Sequence, residues 1–300
     1  MPKALVNGVN LYYEETGTGT PIIFIHEFAG DYRSWEGQVR HFSRRYRCIT
    51  FNNRGYPPSD VPEDPAAYSQ DIAVGDILGV LDHLKIEKAH IVGFSMGGSA
   101  ALIFGLRHPQ RALSLVIAGT GSGSSGNKAD FIRDVEYVAG RFEKEGMEKV
   151  GGFYTRGPNR VQFEEKDPRG WQTFYEQFVD SSAKGHALTM LGVQRNRPSV
   201  FELEDEMKKL TVPTLVMVGD EDEPCLESSL FMKRTIPSAA WVVLPKTGHT
   251  LNLEEPELFN QFLQTFITQV DCGRWTLRNP VSLSGSAVLA PDQKDEARKS

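Results

Sequence analysis

Short apolar segments recur along the chain, and turn-forming residues bound each of them. In chain order they are PIIFIH, YRCITF, AHIVGF, ALSLVIAG, PTLVMVG and AAWVVLP. Their length is typical of strands that are buried on both faces. Helix-length segments separate several of them, such as residues 69–84, which Ser69 can cap, and residues 96–108, which end before Pro109. This alternation predicts an α/β fold in which helices cover both faces of a mostly parallel sheet.

The strand–helix alternation is interrupted once, over residues 121–209. This stretch is polar and helical in pattern, and aromatic residues such as Trp171 are scattered through it. We therefore predict a helical cap, residues 121–209, inserted into a core of residues 1–120 and 210–270. Residues 271–300 are polar and rich in Ser, Ala and charge, so we expect a poorly ordered tail in which Trp275 and Leu277 could dock locally.

Charge and composition exclude several classes of protein. The formal net charge is −6, which argues against binding to nucleic acid, because that needs a basic surface. No run of 18 apolar residues predicts a membrane helix, and the first residues do not resemble a signal peptide. Three cysteines do not suggest a disulfide framework. We expect a cytoplasmic protein with a small-molecule substrate, and the sequence does not indicate its oligomeric state.

Two motifs suggest cofactors that their surroundings do not support. GSGSSG, residues 121–126, matches the dinucleotide pattern G-x-G-x-x-G, but it lies where the chain leaves the predicted sheet, and the next convincing strand is far downstream. It is better explained as a flexible linker into the cap. HEFAG, starting at His26, begins like the zinc motif H-E-x-x-H, but Gly30 replaces the second histidine. We therefore expect no organic cofactor and no metal.

Ser95 is the strongest candidate for a catalytic residue. The stretch GFSMG, residues 93–97, matches the nucleophile elbow G-x-S-x-G, with an apolar strand before it and a helix after it. In this motif a strained turn exposes the serine hydroxyl above the edge of the sheet. The alternative is a turn in which Ser95 is only a small residue.

A serine nucleophile needs a base and a group that orients the base. Of the seven histidines, His249 fits best, because it lies in a loop between the last apolar segment and a helix. The acid should follow the strand that precedes this segment, where the chain offers four acidic residues: Asp220, Glu221, Asp222 and Glu223. The chain order of serine, acid and histidine is the one expected for this type of site.

These motifs resemble the α/β-hydrolase fold superfamily, in its capped esterase and enol-lactonase-like branch. The resemblance spans about residues 4–270 and rests on FIHEFAG, NNRGYPPSD, GFSMGG, VGDED and GHTLNLEEP. It implies that the acid is Asp222, which occupies the aspartate position of a G-x-x-D pattern. It also implies that the backbone N–H groups of Phe28 and Met96 form an oxyanion hole, whose side chains could shape an apolar acyl pocket.

The chain departs from the family pattern at Glu27, where glycine is usual. Glu27 could form a salt bridge to Arg54, or it could face the pocket and orient water or repel anionic substrates. Trp171 and His186 are further candidates for pocket residues, although a structural role is the better interpretation of His186. Asn52 and Pro57 are departures in the second loop, where we expect an effect on loop shape only.

The resemblance implies a serine hydrolase that cleaves a small carboxylic ester or lactone through an acyl-enzyme. Serine at position 95 argues against haloalkane dehalogenase and epoxide hydrolase chemistry, which use aspartate there. Hydrolysis of a carbon–carbon bond and perhydrolysis use the same triad and stay open. A ligand receptor with little turnover is a further alternative, because fold and triad do not determine function.

Overall fold

The centre of the protein is a single twisted sheet. The computed structural model describes residues 2–124, 126, 128–283, 287–290, 292 and 293. The strands are β1 (Lys3–Val6), β2 (Val9–Thr16), β3 (Pro21–Ile25), β4 (Arg47–Phe51), β5 (Ala89–Phe94), β6 (Ala112–Ala118), β7 (Thr214–Gly219) and β8 (Ala239–Leu244). Their order across the sheet is β1-β2-β4-β3-β5-β6-β7-β8. β1 and β2 form an antiparallel edge, and the strands from β4 to β8 run parallel.

Helices follow most of the strands. They are α1 (Glu36–Phe42), α2 (Gln70–His83), α3 (Met96–Arg107), α4 (Lys128–Tyr154), α5 (Val161–Lys166), α6 (Pro168–Val179), α7 (Ala183–Thr189), α8 (Glu204–Met207), α9 (Glu223–Thr235), α10 (Leu251–Glu254) and α11 (Pro256–Asp271). Short 3-10 turns occupy Tyr32–Trp35, Pro65–Ala67, Pro109–Arg111, Val200–Leu203 and Pro280–Leu283, and a π turn occupies Met190–Gln194. None of the helices in the described part of the chain combines the length and the apolar character that a membrane span requires.

The two faces of the sheet carry separate apolar cores. On one face α2, α3 and α9 pack against the strands through side chains such as Ile77, Phe104 and Met232. On the other face α1 and α11 supply Phe42 and Phe259. Strands that are buried on both faces read as continuous apolar runs, which is why the sequence showed them so clearly. The predicted α/β fold is confirmed.

A third apolar core lies between the sheet and α4 to α7, the helices between β6 and β7. Phe28 and Met96 from the sheet side pack there with Phe142 and Phe178 of these helices. The boundary predicted at residue 209 needs correction. Val200 and Met207 belong to the sheet's own core, where they pack with Met232 of α9, because these apolar side chains are buried beneath that helix.

The first residues of the tail pack on the core, as the sequence allowed for Trp275. Trp275 packs edge-on against Phe266 of α11 with ring centroids 4.6 Å apart, and its Nε1 donates to Ser238 O at 2.8 Å. Arg278 donates to the carbonyl oxygen of Arg234 at 2.8 Å. Leu277, the other predicted docking residue, is 51% exposed. Residues 284–286, 291 and 294–300 lie outside the described residues, so the prediction stays untested there.

Candidate active site

Ser95 lies in a tight turn between β5 and α3, with φ of 54° and ψ of −110°. Such a backbone costs on the order of 1–3 kcal/mol in a residue other than glycine. Two glycines give the turn its space. A Cβ at Gly93 would lie 2.2 Å from Gly97 O, and a Cβ at Gly97 would lie 2.2 Å from Ile25 O. Glycine is therefore required at both positions, and the turn holds the Ser95 side chain at the carboxyl edge of the sheet.

Ser95, His249 and Asp222 form a continuous hydrogen-bonded chain. His249 Nε2 lies 2.9 Å from Ser95 Oγ, and His249 Nδ1 lies 2.7 Å from Asp222 Oδ2. The three residues follow β5, β8 and β7, respectively, and the carboxyl ends of parallel strands meet at one edge of the sheet. In this arrangement His249 can accept a proton from Ser95 while Asp222 orients the imidazole.

The structure pairs the histidine with Asp222 rather than Asp220. Burial alone would raise the pKa of Asp222, but the charge of His249 and hydrogen bonds from His249, Asn159 and Cys225 hold this pKa below its usual value. The Asp222 carboxyl is therefore ionised at neutral pH. Asp220 is exposed and accepts the Thr247 N–H at 3.0 Å, so it supports the loop that carries His249.

The end of β3 and the start of the loop after it lie against the turn at Ser95, because a Cβ at Gly97 would meet Ile25 O at 2.2 Å and His26 O at 2.8 Å. The loop is held by the Tyr56 hydroxyl, which donates to Phe28 O at 2.9 Å, and by His26 Nδ1, which lies 2.6 Å from Glu27 O. Neither the Phe28 N–H nor the Met96 N–H donates a hydrogen bond to another described residue. Unpaired backbone donors at this depth are rare, and a pair of them suits a developing oxyanion.

Asn159 connects the cap to the loops that carry Asp222 and His249. Its backbone oxygen accepts the His249 N–H at 2.6 Å, and its side-chain Nδ2 donates to Asp222 Oδ1 at 3.2 Å. Sequence analysis did not identify this residue. It lies in a Gly-Pro-Asn-Arg stretch that reads as an ordinary turn, and nothing in the pattern places it beside the acid.

Glu27 does not pair with Arg54, which corrects the first interpretation of this residue. Its carboxylate forms a bidentate ion pair with Arg160, in which Nη1 lies 3.0 Å from Oε1 and Nη2 contacts Oε2. Arg54 instead pairs with Asp76 of α2 at 2.7 Å. Burial would raise the pKa of Glu27, but the Arg160 charge and hydrogen bonds hold this pKa below its usual value. Glu27 is almost wholly buried. It is not among the residues that line the cavity beside Ser95 and His249, which is described below.

Trp171 and His186 were predicted as pocket residues, and neither lines the cavity. Trp171 stacks on Tyr175, and its Nε1 donates to Thr155 O at 3.0 Å inside the cap. The ring of His186 packs against four aromatic rings, those of Phe28, Tyr56, Phe142 and Phe178, with centroid distances of 4.6–5.4 Å. Both side chains therefore fill the apolar core between cap and sheet.

A cavity of about 350 Å³ opens beside Ser95 and His249. This volume is typical of a small-molecule site. Its walls come mainly from the cap, and the apolar part is formed by Phe131, Val135, Val138, Phe153, Tyr154 and Met190. The side chains of Phe28 and Met96 do not line it, which corrects the predicted acyl pocket. They pack in the core beneath the cap instead.

Asp222, Cys225 and His249 place an oxygen, a sulfur and a nitrogen atom within 4.8 Å of one another. The donors do not suit a metal ion. Burial and the charge of Asp222 raise the pKa of the Cys225 thiol well above its usual value, whereas a metal ligand must be a thiolate. His249 already uses both ring nitrogens, on Asp222 and Ser95.

Removal of the Glu27 charge should destabilise the protein. Glu27→Gln leaves the Arg160 guanidinium buried without its counter-ion, so we expect a loss of about 3–5 kcal/mol in the free energy of unfolding, measured by urea denaturation. Glu15→Gln is the matched control, because its ion pair with Arg47 is about 30% exposed, and it should cost less than about 1 kcal/mol. Equal effects of the two substitutions would contradict a buried pair.

His186 should make the protein sensitive to acid. Burial lowers the pKa of His186 to about 4, so the unfolded chain binds a proton between pH 6.5 and 4 that the folded state does not. Stability is therefore lost as pH falls through this range, by up to about 3 kcal/mol from this residue. In His186→Gln the difference in unfolding free energy between pH 7 and pH 4 should shrink by a comparable amount. An unchanged difference would show that the ring is not buried as a neutral group.

Known proteins share this fold and are similar in sequence over most of the chain. Residues 20–148 match a family model described as alpha/beta hydrolase fold. The chain is 27% identical over 251 residues to 3-oxoadipate enol-lactonase 1 of Acinetobacter baylyi, which covers 83% of this chain and 89% of that protein. It is 28% identical over 276 residues to 2-hydroxymuconate semialdehyde hydrolase of a Pseudomonas species, covering 90% and 94%.

Among solved structures, a thermophilic esterase from Thermogutta terrifontis superposes with a TM-score of 0.79 at 27% identity, covering 90% of this chain and 98% of that one. The resemblance seen in the sequence motifs is thus confirmed over most of the chain. The family model, these relatives and the superposition together support a hydrolytic enzyme of the α/β-hydrolase superfamily.

Proposed function

We propose that the protein is a serine hydrolase that cleaves a carboxylic ester or a lactone of a small molecule through an acyl-enzyme. The observation that supports this most directly is the chain of hydrogen bonds from Ser95 through His249 to Asp222, with lengths of 2.9 and 2.7 Å. It lies at the wall of a cavity of about 350 Å³ that suits a small ligand.

In the first step, Ser95 Oγ attacks the carbonyl carbon while His249 Nε2 takes the hydroxyl proton. The tetrahedral intermediate collapses, and the same proton passes to the oxygen that leaves, which forms the ester of Ser95. In the second step, His249 takes a proton from water, the hydroxide attacks this ester, and Ser95 recovers its proton as the acid departs. Asp222 stabilises the imidazolium in both steps.

The N–H groups of Phe28 and Met96 would stabilise the negative oxygen of each tetrahedral intermediate. A donor in such a position lowers the barrier by about 3 kcal/mol. Met96 is also the first residue of α3, and the positive end of a helix favours negative charge at that point.

No step of this reaction needs an organic cofactor or a metal ion. A cytoplasmic location is part of the proposal, and the thiols of Cys48, Cys225 and Cys272, which are free in the structure, suit a reducing compartment. Carbon–carbon bond hydrolysis and perhydrolysis would use the same three residues, and the relatives' names alone do not choose among these reactions.

A fluorophosphonate probe tests the nucleophile. We expect a covalent adduct on Ser95, located by mass spectrometry, because the probe reacts with serines that an adjacent base activates. On a panel of small esters and lactones, Ser95→Ala should lower kcat at least about 10³-fold.

The outcomes separate the alternatives. Labelling with turnover that depends on Ser95 supports the hydrolase. Labelling without turnover of any panel member would favour a receptor or a narrow carbon–carbon substrate. A folded protein that is not labelled at Ser95 would overturn the proposal.

The two neighbouring aspartates should differ sharply in their effect on turnover. Asp222→Asn replaces the carboxylate beside His249 Nδ1, and we expect kcat to fall about 10³- to 10⁴-fold because the imidazole loses its orienting charge. Asp220→Asn is the control, since an amide oxygen can still accept the Thr247 N–H. Its kcat should stay within a few-fold of the native value. Similar losses in both variants would contradict the role given to Asp222.

A further inference from the structure

Arg197 is a buried cation on the wall of the active-site cavity. Its side chain is only about one-tenth exposed. Its Nη2 donates to Ser122 O at 2.7 Å, and its Nη1 lies 3.5 Å from Ser99 Oγ. Both partners are neutral, and no aspartate or glutamate of the described residues forms an ion pair with it. A buried charge normally has an opposite charge beside it.

The other buried arginine of the cavity differs in this respect. Arg160 also lines the cavity, but its charge is matched by Glu27. The acidic residue in the cavity wall is Asp134, which is exposed on α4 and makes no ion pair with Arg197. The positive charge that faces the cavity is therefore that of Arg197.

Gln194 adds a second polar side chain to the same wall of the cavity. It is more than nine-tenths buried, lines the same cavity, and its Oε1 has no hydrogen-bond partner among the described residues. Oε1 can only accept a hydrogen bond, so the atom of Gln194 that can bind a carboxylate is the amide nitrogen Nε2. Gln194 and Arg197 are three residues apart in one turn of chain, so a single ligand group can reach both. An amide oxygen without a partner at this depth is uncommon and costs free energy.

Arg197 lies a short distance from the nucleophile. Its contact, Ser99, lies in the first turn of α3, and the Ser99 N–H donates to Ser95 O at 3.0 Å. A group held by Arg197 would thus lie a few bond lengths from a carbonyl carbon at Ser95 Oγ.

We propose that Arg197 and Gln194 form a subsite for a carboxylate of the substrate, so that the enzyme prefers esters or lactones that carry a carboxylate a few carbons from the reacting carbonyl. This inference rests on the proposed hydrolase function and names its substrate class. A planar guanidinium binds a carboxylate through two parallel N–H groups, and the Gln194 amide supplies one further donor.

The charge balance favours a carboxylate over a phosphate group. One unpaired guanidinium neutralises a single negative charge, whereas a phosphate dianion would bring a second charge into a wall that also contains Asp134.

The test compares two esters that differ only in charge. They are 4-nitrophenyl hydrogen glutarate and its neutral analogue 4-nitrophenyl 5-oxohexanoate, in which a methyl group replaces one carboxylate oxygen. We expect the native enzyme to have a kcat/KM at least about tenfold higher for the glutarate, and Arg197→Met to lower that ratio at least about tenfold, mainly through KM.

Arg195→Met is the matched control. Arg195 lies two residues away, has a side chain that is 37% exposed, and pairs with Glu136. This variant should keep the native ratio. Arg197→Lys should retain part of the preference for the glutarate ester, because lysine keeps the positive charge but cannot form two parallel hydrogen bonds to a carboxylate. If Arg197→Met does not fold, as judged by its thermal unfolding, Gln194→Leu replaces it and should lower the ratio several-fold.

A purely structural role for Arg197 predicts a different result, because the turnover of both esters would fall together with the melting temperature. A native ratio near one, or equal ratios in Arg197→Met and Arg195→Met, would overturn the carboxylate subsite and leave the hydrolase intact.

If neither ester is hydrolysed and Ser95 is not labelled, the hydrolase proposal fails, and glutarate binding measured by calorimetry decides on the subsite. Binding that Arg197→Met abolishes and Arg195→Met preserves would support the subsite. No binding, or binding that persists in Arg197→Met, would overturn it.

Discussion

The turn at Ser95 has so little space around it that both the residue types next to it and the strands that pack against it are nearly determined. A Cβ at Gly97 would meet the backbone of Ile25 and His26, and a Cβ at Gly98 would meet Thr120 Oγ1 at 2.0 Å. The Ser95 N–H donates to Ala118 O at 2.8 Å. The end of β3 therefore lies against one side of the turn and the end of β6 against the other. The loop after β3 carries Phe28, and the chain after β6 leads into the cap, so this close packing places both beside the serine.

The short segment from residue 157 to 160 ties the cap to the rest of the site through polar contacts rather than through apolar packing alone. Asn159 binds the backbone of His249 and the carboxylate of Asp222, and Arg160 forms a buried ion pair with Glu27 in the loop after β3. If this segment moved away, the buried ion pair between Arg160 and Glu27 would be broken, at a cost of several kcal/mol in the free energy of unfolding. The position of the cap helices and the orientation of the Asp222 carboxylate are therefore coupled.

The features that sequence analysis predicted correctly are those determined by residues close together in the sequence. Buried parallel strands read as apolar runs, and the turn around Ser95 needs its glycines within a few residues. The partner of Glu27 could not be found in this way, because Arg160 lies 133 residues along the chain and any of several arginines offers the same chemistry. Trp171 was misassigned for a related reason, since an aromatic residue in a cap can line a cavity or fill a core, and only its packing decides.

Arg197 shows why burial and charge have to be considered together. Burial lowers the pKa of Arg197 to about 10, so the guanidinium is still charged at neutral pH. Burial also removes most of the water that would otherwise solvate this charge. The interactions with Ser122 and Ser99 compensate only part of that loss, because neutral acceptors bind a cation less strongly than a carboxylate does. An anion that enters the cavity recovers the remainder, and any ligand that binds only the folded state also stabilises it. The unpaired charge of Arg197 thus lowers the stability of the free protein. Pairing with an anionic substrate beside Ser95 removes this cost, and the free energy recovered contributes to binding.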